Sequence, residues 1–151
     1  MKSISGSCLC KFIRFKIHNE CRKVVLCHCT MCQKSNAEFS SYTKVKMNNF
    51  SLNQKKTLKW FKSSKNYERG FCTNCGSSLF FKKINNKNEI SVSSGSLNKT
   101  IPIIGHIYYK NKKSNLNIIK LKRFSQSAKG YFDKYIHKIK WITVSYTHLT
   151  L

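Results

Sequence analysis

The sequence predicts a mainly β domain. Short segments rich in β-branched and aromatic residues recur along its 151 residues, separated by polar breaks rich in Asn and Ser. Apolar residues keep helical spacing in a single stretch. In addition, seven of the eight cysteines fall into three tight clusters, a pattern that favours metal staples in a domain with a modest core.

Residues 12–17 alternate Phe, Ile and Phe with basic partners and read as a strand. Residues 23–26 form a second, running directly into a cysteine cluster. Residues 39–47 alternate apolar and polar side chains, and 57–62 carry Trp60 and Phe61. Residues 67–71 lead into the Cys72 cluster and 79–83 leave it. Residues 89–93, 101–109 and 116–121 complete nine expected strands. The breaks fall at 48–49, 63–64, 85–88 and 111–115, where Asn and Ser favour turns. Residues 131–142 place Phe132, Tyr135 or Ile136, Ile139 and Ile142 on one stripe and are read as a helix. The last eight residues, 144–151, leave the Lys/Asn/Ile style of the chain and resemble translated sequencing-adapter read-through. They are expected to be a non-native tail and stand outside the fold argument. The expected organisation is one zinc-binding domain over 3–123, a helical extension over 124–143, and that tail.

The clusters are Cys8-Leu9-Cys10, then Cys27-His28-Cys29-Thr30-Met31-Cys32, then Cys72-Thr73-Asn74-Cys75. No signal-peptide-like or membrane-length apolar run is visible, so a cytoplasmic, reducing setting is expected, where clustered thiols bind metal rather than form disulfides. Zn²⁺ takes four ligands in a tetrahedron, and structural sites are closed while catalytic sites keep one position open. Seven thiolates divide into four plus three. Cys8 and Cys10, read as an extended i, i+2 pair with Leu9 facing the core, join Cys72 and Cys75 in a closed site. Gly76 permits the tight turn behind the second pair. Cys27, Cys29 and Cys32 form the second site, with His28 pointing away as a hydrogen-bonded spacer. The eighth, Cys21, reads as a small core residue. Two zinc ions per chain follow. A centre of three thiolates on Zn²⁺ carries a net −1 and is a weak generator of hydroxide. It is better suited to holding an added thiolate, which fits chemistry at sulfur.

Twenty-nine Lys and Arg face five Asp and Glu, a formal +24, which two zinc ions and seven thiolates would bring to about +21. That field favours anionic partners. The same crowding of Lys, Asn and Ile is also what an AT-rich coding sequence produces. Basic clusters with interleaved aromatics, 59–62 and 120–124, admit a nucleic-acid reading.

The order Gly6-Ser7-Cys8-Leu9-Cys10, Cys27-His28-Cys29-Thr30-Met31-Cys32-Gln33-Lys34, Arg69-Gly70-Phe71-Cys72-Thr73-Asn74-Cys75-Gly76-Ser77, Ile90-Ser91-Val92 and Gly95-Ser96-Leu97-Asn98 resembles the GFA family. These are the glutathione-dependent formaldehyde-activating enzymes and the related centromere protein V. The resemblance covers roughly 3–123. It implies a tent of antiparallel β-sheets around a structural zinc on Cys8, Cys10, Cys72 and Cys75. It implies a second, catalytic zinc on Cys27, Cys29 and Cys32, and a carbon–sulfur lyase that joins formaldehyde to glutathione. The departures are Lys11 where the family has Gly, Asn36-Ala37-Glu38 where it has a small Pro-containing segment, Asn98 for Asp, and no Trp near 115–117. Residues 36–38 are expected beside the open site, where they would bear on specificity.

Three readings follow. The first is an enzyme acting on a glutathione, or other small thiol, adduct of an aldehyde. The second is a structural double-zinc domain without turnover, and the third a basic nucleic-acid-associated module. No general base is assigned; Glu38 and His106 qualify by residue type alone.

Overall fold

The computed structural model describes residues 3–113. Their elements, in chain order, are β1 (Ser3–Ser7), β2 (Ile13–His18), β3 (Val24–Cys27), α1 (Thr30–Asn36), β4 (Ser40–Lys46), β5 (Phe50–Lys55), β6 (Leu58–Lys62), β7 (Tyr67–Cys72), β8 (Ser78–Lys83), β9 (Glu89–Ser93) and β10 (Ile103–Ile107). Short 3₁₀ turns cover Met47–Asn49, Ser94–Ser96 and Tyr109–Asn111. Eight of the nine expected strands are present. The ninth, at 116–121, the expected helix at 131–142 and the suspected tail lie outside the described residues. No helix among the described residues is long and apolar enough to cross a membrane.

The strands form two sheets. One has the order β1-β2-β5, the other β10-β3-β4-β9-β8-β7-β6. All pairings are antiparallel except β10 against β3, which run parallel. The core lies between the sheets. In β2, Ile13, Phe15 and Ile17 are buried while Arg14 and Lys16 are exposed, the period of two that a strand with one buried face requires. Phe15 meets Phe80 of the second sheet edge-on, with ring centroids 5.2 Å apart, and Phe50 of β5 closes the cluster at 5.6 Å from Phe15. Val24, Val45, Leu79 and Val92 fill the remaining space. Gly6 sits where β1 passes closest to this core: a Cβ there would lie 2.3 Å from the Phe15 ring.

Three features depart from the sequence reading. β1 is Ser- and Gly-rich, with low intrinsic strand preference, and forms because it pairs with β2 along its whole length. β5 follows the Asn48-Asn49 break without a connecting gap and pairs with β2. α1 is seven residues long, too short to show an apolar period. It is nucleated by a cap instead: the Cys29 sulfur accepts the Cys32 backbone N–H.

Candidate metal centres

The sulfurs of Cys8, Cys10, Cys72 and Cys75 lie within 4.8 Å of one another, as do those of Cys27, Cys29 and Cys32. The structure therefore brings together the same four and three that the spacing grouped. Tetrahedral zinc with bonds of about 2.3 Å sets its sulfurs about 3.8 Å apart. Cys8 to Cys10 is 3.4 Å and Cys10 to Cys72 is 3.6 Å, so the first cluster fits such an ion with little adjustment.

The four-cysteine cluster is made by two turns. Cys8 and Cys10 lie on the turn between β1 and β2, not on an extended segment, and Leu9 is 83% exposed rather than facing the core. The correction has a local cause. The Lys11 N–H donates to the Cys8 carbonyl at 3.1 Å, and Lys11 itself takes the left-handed conformation, φ 63°. The position where the family has Gly is one that demands a positive φ. The second turn follows β7: the Gly76 N–H donates to the Cys72 carbonyl at 2.9 Å with φ 73° at Gly76. Neutral donors face the sulfurs. The Ile13 N–H points at Cys8 at 3.3 Å, the Thr57 hydroxyl meets Cys72 at 3.1 Å, and the Ser77 hydroxyl meets Cys75 at 3.2 Å. The Ser77 hydroxyl, followed by backbone donors, pulls the Cys75 thiol down to about 5. Burial pushes Cys8 up to about 11 against the Ile13 N–H. Burial also works against ionisation of Cys72, but the Thr57 hydroxyl and two backbone donors outweigh it and lower that thiol.

The three-cysteine cluster is made by one turn. Cys27 ends β3, Cys29 caps α1, and Cys32 lies in its first turn. His28 points inward, as the spacer reading expects, and its Nε2 lies 2.9 Å from Nδ1 of His106 on β10. Gln33 braces the same turn by donating to the carbonyls of His28 and Asn111. Mutual hydrogen bonding among the three sulfurs draws negative charge onto Cys32, helped by Ser40 and Arg69, and holds the Cys27 thiol far above its ordinary range. Arg69 of β7 is buried with its Nη2 3.7 Å from the Cys32 sulfur.

A cavity of about 470 Å³ opens on this cluster, within the range of small-molecule sites. Cys27, Cys29 and Cys32 form part of its wall, together with Tyr67, Phe81 and Tyr108. Arg22, Lys44, Arg69, Lys82 and Lys83 line it against a single acid, Glu89. Tyr108 holds the left-handed conformation, φ 53°, uncommon for a non-glycine residue and frequent at functional sites. Burial and then the neighbouring sulfurs raise its phenol, so it stays protonated at neutral pH. A larger cleft of about 1180 Å³ touches the four-cysteine cluster through Cys8 and holds none of Cys27, Cys29 and Cys32.

Residues 36–38 do not line the 470 Å³ cavity; Asn36 instead lines the larger cleft and accepts from Ser35 and Ser40. Glu38 is exposed and outside the cavity wall, and His106 is buried behind His28. Neither stands where a general base would meet a ligand in the cavity. Cys21 is fully buried in the core. Of the basic–aromatic clusters, 59–62 forms β6 at one edge of the large sheet, where the Lys82 ammonium lies 4.6 Å from the Trp60 ring centroid. The protein's own cation thus covers one face of that ring. The cluster at 120–124 lies outside the described residues. Sequence reasoning missed the part played by Arg69, Tyr67 and Tyr108, which reach the cavity only through strand register and a turn.

A two-sheet β domain with one cluster of four cysteines and one of three defines a class: a small fold whose thiols are grouped as they would be to hold metal, with one cluster facing a cavity. Within that class, residues 3–111 match the model of the family described as glutathione-dependent formaldehyde-activating enzyme, and the chain belongs to that family. Over 95 residues it is 33% identical to a protein of Schizosaccharomyces pombe described as an uncharacterized lyase, covering 62% of this chain and 68% of that one. The crystal structure of a Rhodobacter sphaeroides protein shares the fold, with a TM-score of 0.53 and 14% identity over 66% of this chain and 98% of that chain.

Proposed function

We propose that the chain is a zinc-dependent carbon–sulfur lyase-type enzyme. Cys8, Cys10, Cys72 and Cys75 hold a structural zinc. Cys27, Cys29 and Cys32 hold a second zinc whose remaining position takes the thiol of glutathione, or of another small thiol, for reaction with formaldehyde or a related aldehyde. One observation carries this reading: the incomplete cluster is the one that opens on a basic cavity. Membership of the family and the lyase description of the S. pombe relative support it.

Cys27, Cys29 and Cys32 would hold the zinc, which when bound would keep a fourth, incoming thiol deprotonated and nucleophilic at neutral pH. The chain's own residues do the rest. Two of the five cations of the wall are paired, Lys44 with Glu89 and Lys82 with Glu68, each at 3.3 Å, and the wall stays net positive and attracts the two carboxylates of glutathione. Tyr67, Phe81 and Tyr108 give one side of the cavity an aromatic lining. As sulfur attacks the carbonyl carbon, a C–S bond forms and the carbonyl π pair moves to oxygen. That oxygen takes a proton while the thiol proton goes to solvent. The protonated phenol of Tyr108, in the same cavity wall as the three cysteines, is the donor this reading assigns to that oxygen.

The test is a metal count on protein purified anaerobically, followed by titration of the cobalt-substituted form with glutathione. Two metals per chain and a shift of the thiolate-to-cobalt charge-transfer band at millimolar thiol are expected. One tight metal and no shift would overturn the enzyme reading in favour of a purely structural domain. Turnover itself is read by NMR as accelerated exchange between free formaldehyde and its glutathione adduct.

A further inference from the structure

Arg69 carries a full positive charge and is 6% exposed. A charge withdrawn from water is costly unless an opposite charge accompanies it. Arg69 forms no ion pair with a carboxylate among the described residues. Its Nη2 donates to the Cys32 sulfur at 3.7 Å, its guanidinium carbon lies 4.9 Å from the Phe81 ring centroid, and its Nη1 is buried with no hydrogen-bond partner among the described residues. The anion within reach is the cysteine cluster. Strand register holds it there: Arg69 stands opposite Phe81 on β8 and Phe61 on β6. Among the described residues the four-cysteine cluster has no such companion: its donors are the Thr57 and Ser77 hydroxyls and backbone N–H groups such as that of Ile13, all neutral.

We propose that Arg69 is the fixed counter-charge of the three-cysteine centre, and that it makes the open position select an anionic sulfur donor over a neutral ligand. The proposal rests on the zinc-and-thiol reading above. Three thiolates on Zn²⁺ leave −1, and a fourth thiolate would raise this to −2 in a partly buried site. A guanidinium against one ligand sulfur offsets the added charge at the point where it is felt. Its hydrogen bond, donated to the ligating sulfur itself, withdraws density from Cys32 and leaves the centre more receptive to a further donor. An arginine suits the role because it stays charged at every working pH. Arg69 acts here through Cys32 and is a positioning residue.

The experiment uses the full chain loaded with two cobalt ions. It follows the charge-transfer absorption of the three-cysteine site during titration with 2-mercaptoethanol, whose bound form carries only the thiolate charge, and with imidazole, a neutral donor. Arg69→Gln is expected to lower the ratio of thiol to imidazole affinity at least tenfold, while Arg69→Lys keeps it within about threefold of the wild-type ratio. A ratio unchanged in Arg69→Gln, or both ligands weakening in step, would overturn the role of Arg69 and leave the thiol reading standing. Wild-type protein that binds neither ligand would overturn the open-site reading and this inference together. If Arg69→Gln fails to retain both metals, Arg69→Lys decides: a kept preference supports the proposal, and a lost preference with both metals bound overturns it.

Discussion

Cys8, Cys10, Cys72 and Cys75 come from two turns far apart in the chain, whereas Cys27, Cys29 and Cys32 come from six consecutive residues. The first cluster ties β1–β2 to β7–β8 and sits against the core through Cys8 and Cys72. The second hangs from the end of β3 and the start of α1, beside a cavity. Hydroxyls and backbone amides surround the first, and a buried guanidinium touches the second. Identical side chains are thus given opposite tasks by what lies next to them. A cluster that joins distant segments between neutral dipoles is a staple. A cluster built on one short turn, with a compensating charge and an open side, is the one we propose as a place for a ligand.

Breaking one cluster at a time tests that contrast most strongly. A structural zinc contributes about 10 kcal/mol or more, comparable to the whole stability of a small domain. Cys72→Ser is therefore expected to abolish the cooperative thermal transition seen by far-UV circular dichroism. Cys27→Ser should lose one metal, keep that transition within about 5 °C of wild type, and no longer respond to thiol. Equal damage from the two substitutions would erase the distinction. Next in size is the response to a chelator. The open cluster, with three protein ligands and an accessible side, should release its metal at least ten times faster than the closed one, read as two phases in a colorimetric zinc assay. A single phase would count against the open–closed division.

Two smaller effects probe the turns of the closed cluster. Gly76 adopts φ 73° with no heavy atom within 4 Å of an added Cβ, so Gly76→Ala introduces backbone strain alone. A cost of about 1–2 kcal/mol is expected, lowering Tm by roughly 5–10 °C in calorimetry. Lys11 holds a similar conformation without being glycine. Lys11→Gly removes the strain but adds freedom to the unfolded chain, so the gain should be at most about 3 °C in Tm.

How far these sites can be read without coordinates follows from what each feature depends on. The grouping of seven thiols depends on local spacing and on the ligand count of one ion, both visible in the chain. Strands such as β2 and β9 are legible because buried residues alternate with exposed ones in β2 and with half-buried ones in β9. β1, short of apolar residues, owes its form to β2, and α1 owes its form to a thiol cap; neither leaves a period to detect. The extended reading of Cys8-Leu9-Cys10 failed because a turn at Lys11 brings the two sulfurs together by a different route. Arg69 reads as an ordinary basic residue of a strand until the pairing of β7 with β8 sets it against Cys32. The general lesson is that contacts within a few residues are written locally, while the charge that completes a site arrives from across a sheet.

The compactness of the second cluster also has a consequence in time. During synthesis, all three of its thiols have been added once residue 32 is in place, whereas the other cluster waits for Cys75. At about 5–20 residues per second this is a delay of roughly 2–9 s. If the clusters hold metal as proposed, the thiols of the turn that later faces the cavity are all in place before the two sheets exist to be joined. On the two-zinc reading proposed above, the cluster facing the cavity is complete first and the one joining the sheets last.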